Sequence, residues 1–366
     1  MTTVTLSNVT KYFSRQDSPG ASPGLGRERV PALVNVSLNV RDGETLCVLG
    51  PSGCGKSTLL KVMAGLIEPD TGQVLFDQVS INQIPLAERG VGIVFQNYAL
   101  YPHMDAHDNI GFFDILRKQP EKIPERIERI STVMGVSIKH LLSRKPPTLS
   151  GGERQRVAVA RCLARDPRLF LFDEPLSNLD TVLRVKTRVE LKRLQREYRV
   201  TAVYVTHDQI EAMALADRLA IMKDGTIVQV GTFQQLYEMP VNVFVADFLG
   251  IPPMNLLEGR AYGDKWQGRG LAIRPIRPGL REGQAVLLGI RPEDVTLVPD
   301  GVRAQIELIE PIITDQVQIV YLKIGEHSCL ARLPLDQPLE VGTSVEVHFP
   351  PEGLYLFDKK TGARIG

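Results

Sequence analysis

A glycine-rich stretch near residue 50 has the spacing of a loop that binds phosphate. Its residues are Gly50, Pro51, Ser52, Gly53, Cys54, Gly55, Lys56 and Ser57, with Thr58 following. Glycines let backbone N–H groups converge on a phosphate, and a helix that begins directly afterwards adds the positive end of its dipole. Lys56 would bring a charge to the β- and γ-phosphate oxygens, and the Ser57 hydroxyl would bind Mg²⁺. We predict a nucleoside triphosphate site, in which the side chain of Cys54 fills space rather than reacts.

Two acidic residues, Asp173 and Glu174, follow the apolar run Leu169-Phe170-Leu171-Phe172. A carboxylate at the C-terminal tip of a central strand can reach a metal ion held by the phosphate loop. Asp173 is therefore predicted to organise Mg²⁺, and Glu174 to polarise the attacking water as a general base. Considered alone, two acids after a strand are more often the N-terminal cap of a helix.

Gln96 and His207 each follow a predicted strand, at residues 90–95 and 201–206. Because parallel strands end at the same edge of a sheet, we expect both side chains near the phosphates. Without that placement, a lone glutamine or histidine at a strand end indicates only polar surface.

Ser150, Gly151, Gly152 and Glu153 open a predicted helix that runs to about residue 165, before a proline ends it. Ser150 suits the N-cap, and the glycine pair would leave backbone N–H groups bare at a second anion-binding helix end. Helix capping explains Ser150 without any further function, but it explains the glycine pair less well.

The pattern of elements predicts two domains, as expected for 366 residues. Strand-like runs alternate with helices over residues 1–235, which indicates an α/β domain with a mostly parallel sheet and a helical part at about residues 97–165. Residues 14–29 are predicted to form an exposed hairpin loop. Residues 236–366 contain short β runs, typical of a small β-barrel. These runs lie at residues 286–290, 304–309, 316–323, 344–349 and 354–357.

The composition narrows the class of protein. Lys and Arg total 43 and Asp and Glu total 42, so the basic excess of a nucleic-acid binder is missing and no nucleic-acid partner is expected. The sequence has no run of 18 apolar residues and no signal peptide, which predicts a cytoplasmic protein. The four cysteines form no CxxC pair and are expected to be buried, reduced thiols.

Taken together and in this order, the motifs resemble those of ATP-binding-cassette (ABC) ATPases over residues 1–235. The resemblance implies a P-loop NTPase cassette that hydrolyses ATP with Mg²⁺. It makes Gly50–Ser57 the Walker A loop, Gln96 the Q-loop and a metal ligand, and residues 149–153 the signature motif, with Glu153 where glutamine is commonest. It also makes Leu169–Asp173 Walker B, Glu174 the catalytic glutamate, residues 177–180 the D-loop and His207 the switch histidine. Phe13, or alternatively Tyr12, would stack on adenine, and Lys56, Gln96, Glu174 and His207 form the expected catalytic set.

The same resemblance implies a shared active site. The signature motif of one chain would contact the γ-phosphate bound by a second copy, or by a close homologue, so that two chains enclose two ATP molecules. Two integral membrane permease subunits and an extracytoplasmic solute-binding protein would complete the system, with this chain peripheral on the cytoplasmic face of the membrane. A helical segment at residues 97–108 would contact the permease through Tyr98, Leu100, Tyr101 and Met104, although these side chains could instead pack the helical part.

The C-terminal run from Gly289 to Asp294 resembles a motif of the OB-like (TOBE) regulatory domain of importer ATPases. Together with Asn178 in the D-loop and residues 253–255, it is similar to the carbohydrate-uptake group typified by the maltose transporter ATPase. This predicts import of a sugar or a related polyol or glycerol phosphate. The alternatives are import of a polyamine, iron or an inorganic anion, a non-transport ABC ATPase, and a nucleic-acid-binding barrel.

Overall fold

A computed structural model describes residues 2–14, 29–134, 138–274 and 280–365 of the chain. The chain divides into two compact units, Met1–Phe233 and Gln234–Gly366. Across these described ranges, no helix combines the length and apolar character needed to cross a membrane.

Within its described residues, the first unit contains ten strands and six complete α-helices. The strands are β1 (Val4–Ser14), β2 (Arg29–Val40), β3 (Thr45–Leu49), β4 (Thr71–Phe76), β5 (Val79–Ser80), β6 (Val91–Val94), β7 (Leu169–Asp173), β8 (Thr201–Thr206), β9 (Arg218–Lys223) and β10 (Thr226–Gly231). The helices are α1 (Lys56–Met63), α2 (Ala106–Leu116), α3 (Ile123–Met134), α4 (Gly151–Leu163), α5 (Thr181–Tyr198) and α6 (Gln209–Leu215); α7 (Phe233–Glu238) begins at the boundary between the units.

The larger sheet has six strands in the order β10-β9-β3-β8-β7-β6. All neighbours pair in parallel except β10, which lies antiparallel to β9 at one edge. Every residue of β3, β7 and β8 is buried, because helices cover both faces of a parallel sheet. The predicted α/β class with a mostly parallel sheet is confirmed.

A second sheet of the first unit is antiparallel, with the order β2-β1-β4-β5. Its strands β1 and β2 pair from Val4 opposite Val40 to Ser14 opposite Arg29, so they form the two arms of the predicted hairpin. The predicted exposed loop falls almost wholly at residues 15–28, outside the described residues.

The helical part contains α2, α3 and α4, which contact one another. Arg126 of α3 ties it together: its Nε lies 2.8 Å from the buried carboxylate of Asp114 on α2, and its Nη1 donates to the Ala164 carbonyl after α4 at 2.6 Å. These contacts satisfy a buried charge and a helix-end carbonyl at once.

The prediction of a helical segment at residues 97–108 is wrong for most of its length. Residues 96–104 form turns, and α2 begins only at Ala106, because the Asp105 side chain caps it by accepting from the Asp108 N–H. Tyr98 is only 4% exposed, so it packs the interior and does not contribute to an apolar surface.

Where the structure describes it, the second unit contains one further α-helix, α8 (Val243–Phe248), and nine strands. The strands are β11 (Asn255–Tyr262), β12 (Lys265–Gly268), β13 (Leu271–Ile273), β14 (Gln284–Ile290), β15 (Thr296–Ile312), β16 (Val317–Ile324), β17 (His327–Pro334), β18 (Ser344–His348) and β19 (Leu354–Asp358). They form two antiparallel sheets, β13-β12-β11-β14-β19 and β17-β16-β15-β18, around one core that includes Trp266, Leu288 and Val320. The short β runs predicted for a small β-barrel are strands in the structure, and they divide between two hydrogen-bonded sheets.

Arg291, from the predicted C-terminal motif, is 1% exposed and serves the packing of this unit. Its guanidinium donates to the carbonyls of Ala246 (2.9 Å), Tyr237 (3.0 Å) and Leu249, and its Cζ lies 3.8 Å from the centre of the Tyr237 ring. These carbonyls belong to the ends of α7 and α8, where no intrahelical donor is left. The buried guanidinium therefore stabilises both helix ends.

We expect Arg291→Met to lower the free energy of unfolding by about 3 kcal/mol, because the buried carbonyls lose their donors. Chemical denaturation followed by tryptophan fluorescence measures this directly, since Trp266 lies in the core of the same unit. The control, Arg303→Met, alters an exposed arginine of β15 and should stay within about 0.5 kcal/mol of the wild type. Equal destabilisation by the two substitutions would contradict this role.

Candidate functional site

The phosphate loop connects β3 to α1 and leaves the start of that helix open. Gly55 is the N-cap, with φ of 105°, and no side chain caps the helix. The first turn contains no acidic residue either. Its N–H groups and the positive end of the dipole are therefore available to an anion.

At two positions of the loop only glycine fits, because a Cβ would collide with a neighbouring backbone carbonyl. A Cβ on Gly50 would lie 2.2 Å from the Met222 carbonyl oxygen, and one on Gly55 would lie 2.3 Å from the Ala32 carbonyl oxygen. Cys54 is 6% exposed, its Sγ packs against Gly50, and burial raises the pKa of its thiol. These features fit a residue that fills space.

Lys56 is 5% exposed, and its ammonium group turns back onto the loop. Its Nζ donates to the carbonyl oxygens of Gly50 at 2.8 Å and Pro51 at 2.9 Å. Both acceptors are neutral, so a bound phosphate would supply the full countercharge that this buried cation lacks.

Asp173 and Ser57 meet at the sheet edge. The Ser57 hydroxyl donates to Asp173 Oδ1 at 2.8 Å, and Asp173 is 9% exposed. Burial raises the pKa of this carboxyl group, and the hydrogen bond from Ser57 opposes that change. A hydroxyl and a carboxylate are hard oxygen ligands of the kind that Mg²⁺ prefers, and the cation would stabilise the ionised carboxylate. The pair therefore fits a magnesium site.

Glu174 and His207 also meet at this edge. His207 Nδ1 lies 3.2 Å from Glu174 Oε2, and the carboxylate side is the less exposed of the two, at 18% against 55%. The backbone of Glu174 is left-handed, with φ of 44°, and is held by its N–H donating to the Val205 carbonyl at 3.0 Å. A strained backbone at a residue with a side chain is typical of active sites, where the surrounding structure fixes the direction of that side chain.

Gln96 lies just after β6, where its backbone carbonyl accepts from Asn178 Nδ2 at 2.9 Å. Its side chain is exposed, and within the described ranges no hydrogen bond joins it to Ser57 or Asp173. The structure thus places Gln96 at the end of the expected strand without a contact to the proposed metal pair.

Phe13 is near the end of β1 and pairs with Val30 of β2. Two residues beyond Val30 is Ala32, whose carbonyl packs on Gly55 of the phosphate loop. The alternative, Tyr12, is 37% exposed, and its N–H donates to Asp70 at 2.7 Å. Tyr12 and Phe13 therefore pair with strand residues one and two positions from the one that contacts the loop.

The predicted signature motif starts α4 with a complete capping box. Ser150 Oγ accepts from the Glu153 N–H at 3.3 Å, and Glu153 Oε2 accepts from the Ser150 N–H at 2.7 Å. The other carboxylate oxygen pairs with Arg144 Nη1 at 2.9 Å. The Ser150 backbone hydrogen bond holds the pKa of Glu153 below its ordinary value. Arg144 thus balances the charge that glutamate brings in place of glutamine.

Close packing gives one reason for the glycine pair of this motif. A Cβ on Gly151 would lie 3.0 Å from a Leu179 methyl, and one on Gly152 would lie 2.7 Å from a Leu183 methyl. In the part of the chain that the structure describes, no hydrogen bond or ion pair joins Ser150–Glu153 to the phosphate loop. Its polar partners among the described residues therefore lie outside the phosphate loop of its own chain.

Two residues near the site have structural roles that the sequence does not predict. Asn178, which the sequence places in the D-loop and associates with the transported solute, also holds the backbone of Gln96. Arg161 of α4 donates to the carbonyls of Tyr98 and Ala99. In the sequence, Arg161 stands out as a charged residue inside the otherwise apolar stretch from Val157 to Leu163. Its partners cannot be identified there, because they lie more than sixty positions away in the chain.

Comparison with known proteins gives consistent matches along the chain. Family models match the ABC transporter at residues 33–177, the MalK OB fold domain at 250–295 and the TOBE domain at 288–357. The sn-glycerol-3-phosphate import ATP-binding protein UgpC of Psychromonas ingrahamii is 41% identical over 375 residues, covering 100% of this chain and 96% of that protein. The trehalose/maltose import ATP-binding protein MalK of Thermococcus litoralis is 42% identical over 360 residues, covering 92% and 96%.

A solved structure supports the fold of the first unit. It is the dimeric structure of a post-hydrolysis state of the ATP-binding cassette MJ0796 bound to ADP and Pi. The TM-score is 0.52 at 32% identity, and the match covers 63% of this chain and 98% of that one.

We expect Gly50→Ala to destabilise the protein by at least about 3 kcal/mol, because the added methyl group meets a backbone carbonyl that cannot move freely. Gly53→Ala is the matched control: its φ is 79°, but a Cβ there would meet no atom within 4 Å. It should cost only about 1 kcal/mol of left-handed strain. Thermal unfolding of the two variants tests this, and similar losses of stability in both would show that the contact with Met222 is unimportant.

Proposed function

Because the chain belongs to the ABC transporter family, we propose that this ABC ATPase drives solute import as one of two ATPase chains beneath a pair of permease subunits. One observation supports the site best: the open α1 N-terminus, the Ser57–Asp173 pair and the Glu174–His207 pair converge on one sheet edge. Phosphate, metal and water would thus be bound side by side, as phosphoryl transfer to water requires.

In the proposed reaction, the loop N–H groups and Lys56 bind the ATP phosphates. Ser57 and Asp173, together with Gln96, would hold Mg²⁺, and the cation would neutralise charge on the phosphate oxygens. Glu174 accepts a proton from the attacking water while the water oxygen forms a bond to the γ-phosphorus. The bond between the γ-phosphorus and the ADP oxygen breaks. His207 holds the Glu174 carboxylate in position.

The remaining ATP contacts are assigned to two separate places. Phe13 stacks on the adenine, and residues Ser150–Glu153 of a second copy complete the site at the γ-phosphate. The isolation of this motif from the phosphate loop of its own chain favours a shared site, and the similar cassette cited above is dimeric.

For the solute, we propose a sugar or a glycerol phosphate. The two full-length relatives carry the names of glycerol-phosphate and trehalose/maltose import proteins and are equally similar to this chain, at 41% and 42% identity. The ATPase would lie on the cytoplasmic face of the membrane, with a solute-binding protein on the other side. Polyamine, iron or anion import is the alternative within the family.

Glu174→Gln should lower ATP hydrolysis by about 100-fold or more, because an amide cannot accept the proton from water. The variant should still bind ATP, and it should accumulate as a dimer in the presence of ATP and Mg²⁺. Light scattering coupled to size-exclusion chromatography measures the dimer. Lys56→Ala is the comparison: it should stay monomeric because its ATP affinity falls at least roughly tenfold. A Glu174→Gln chain that binds ATP yet remains monomeric would argue against the shared site.

Deletion of the gene in its own host should abolish high-affinity uptake of one of three radiolabelled solutes: maltose, trehalose or sn-glycerol-3-phosphate. The plasmid-borne wild-type chain should restore uptake, whereas Glu174→Gln should not, because transport requires hydrolysis. Normal uptake of all three solutes in the deletion strain would reject the proposed solute class. That result would leave the proposal that the chain hydrolyses ATP unaffected.

A further inference from the structure

The segment between β6 and α2, residues 96–105, has an unusual backbone, and we call it the connecting segment. Tyr98 and Ala99 have φ of 63° and 46°, so two consecutive residues with side chains are left-handed. This conformation brings Cβ too close to the backbone and is disfavoured for any residue other than glycine, asparagine or aspartate. Contacts from elsewhere in the fold must therefore hold the segment.

Side chains from three different elements supply these contacts. Asn178, just before α5, donates to the Gln96 carbonyl, and Asn109 of α2 donates to the carbonyls of Tyr101 and Met104, both at 3.1 Å. Between them, Arg161 of α4 donates from Nη2 to Tyr98 O at 2.9 Å and from Nη1 to Ala99 O at 2.7 Å. Of these three side chains, Arg161 is the one that binds the carbonyls of the two left-handed residues themselves.

Arg161 also lies on the helix that begins with the signature motif. From Gly151 to Arg161 is ten residues, about 15 Å along a continuous helix whose inner face is buried. Helix α4 therefore takes part in two contacts. At its start lies the motif proposed to contact the partner's nucleotide, and near its end Arg161 binds the segment after Gln96.

We propose that Arg161 is a positioning residue, which holds Tyr98 and Ala99 in their left-handed conformation and so keeps Gln96 at the sheet edge. The guanidinium suits this task because its planar fork reaches two successive carbonyls, which a lysine ammonium cannot do in the same geometry. The effect on hydrolysis rests on the proposed function, since the role of Gln96 does.

The first test compares Arg161→Gln with Arg165→Gln in the nucleotide-free full-length chain. Arg165 follows α4 and stacks on Phe113, with its Cζ 4.9 Å from the ring centre. Because both residues are arginines, the two substitutions change the net charge by the same amount. Amide hydrogen exchange over residues 96–101 should be roughly tenfold faster in Arg161→Gln, because two charge-assisted hydrogen bonds are lost. In Arg165→Gln it should match the wild type, and equal exchange in both variants would overturn the proposal.

The second test separates positioning from ATP binding. In Arg161→Gln, the ATP dissociation constant measured by calorimetry in EDTA should change less than about twofold, because the loop residues do not touch Arg161. Its kcat should fall roughly tenfold, and the Mg²⁺ concentration for half-maximal hydrolysis should rise. If this variant does not fold, Arg161→Lys, which retains one possible bond, should show the same changes at smaller size. A parallel loss of ATP affinity would overturn the proposal.

The third test relieves the backbone strain directly. Ala99 is exposed, so Ala99→Gly removes the steric penalty of its left-handed conformation without leaving a cavity. Added to Arg161→Gln, it should restore at least about half of the lost kcat, whereas Ala99→Val should reduce kcat further. Failure of glycine to restore any activity would contradict the proposal. If the wild-type chain itself hydrolyses no ATP, the proposed function fails, while the exchange experiment still tests Arg161.

Discussion

The parallel pairing of β3, β8, β7 and β6 is the constraint on which the site depends. Leu49 lies opposite Thr206, Val205 opposite Asp173, and Phe172 opposite Val94, so four strands end at nearly the same level. Every residue that follows one of these ends is delivered to one edge. A shift of one residue in any pairing would exchange the side chains between two faces that are both closely packed, which makes the register strongly specified.

Buried charges are handled in three different ways in this chain. Lys56 rests on neutral carbonyls at the site, which leaves its charge available to an incoming phosphate. Arg126 is neutralised by the buried carboxylate of Asp114, which ties α3 to α2. Arg291 binds carbonyls at helix ends and an aromatic face, as a purely structural cation. Burial alone therefore does not identify a functional charge. Lys56 and Arg291 both bind neutral carbonyls, and Lys56 differs in lying in the phosphate loop at the uncapped start of α1.

Much of the fold and site could be predicted because the evidence for them is local in the chain. Apolar runs followed by Asp173, Gln96 and His207 identified three strands and the residues that end them, and Ser150 with Glu153 identified the start of α4. The strand β17 and the three short strands from Asn255 to Ile273 were missed, because their partners and the core that buries them are supplied by distant segments. The helix predicted at residues 97–108 failed because Asn109, Arg161 and Asn178 stabilise turns there instead.

The sequence by itself determined which chemistry is possible: the types and spacing of residues in the phosphate loop, the acidic pair and the glycine pair follow from positions that are neighbours along the chain. Only the tertiary structure decided how they are held. The 2.8 Å contact between Ser57 and Asp173 joins residues that are 116 positions apart in the chain. The hydrogen bond from Arg161 to the Ala99 carbonyl joins residues that are 62 positions apart. Such distances depend on strand register and helix packing, which arise from the burial of the whole core rather than from any local pattern.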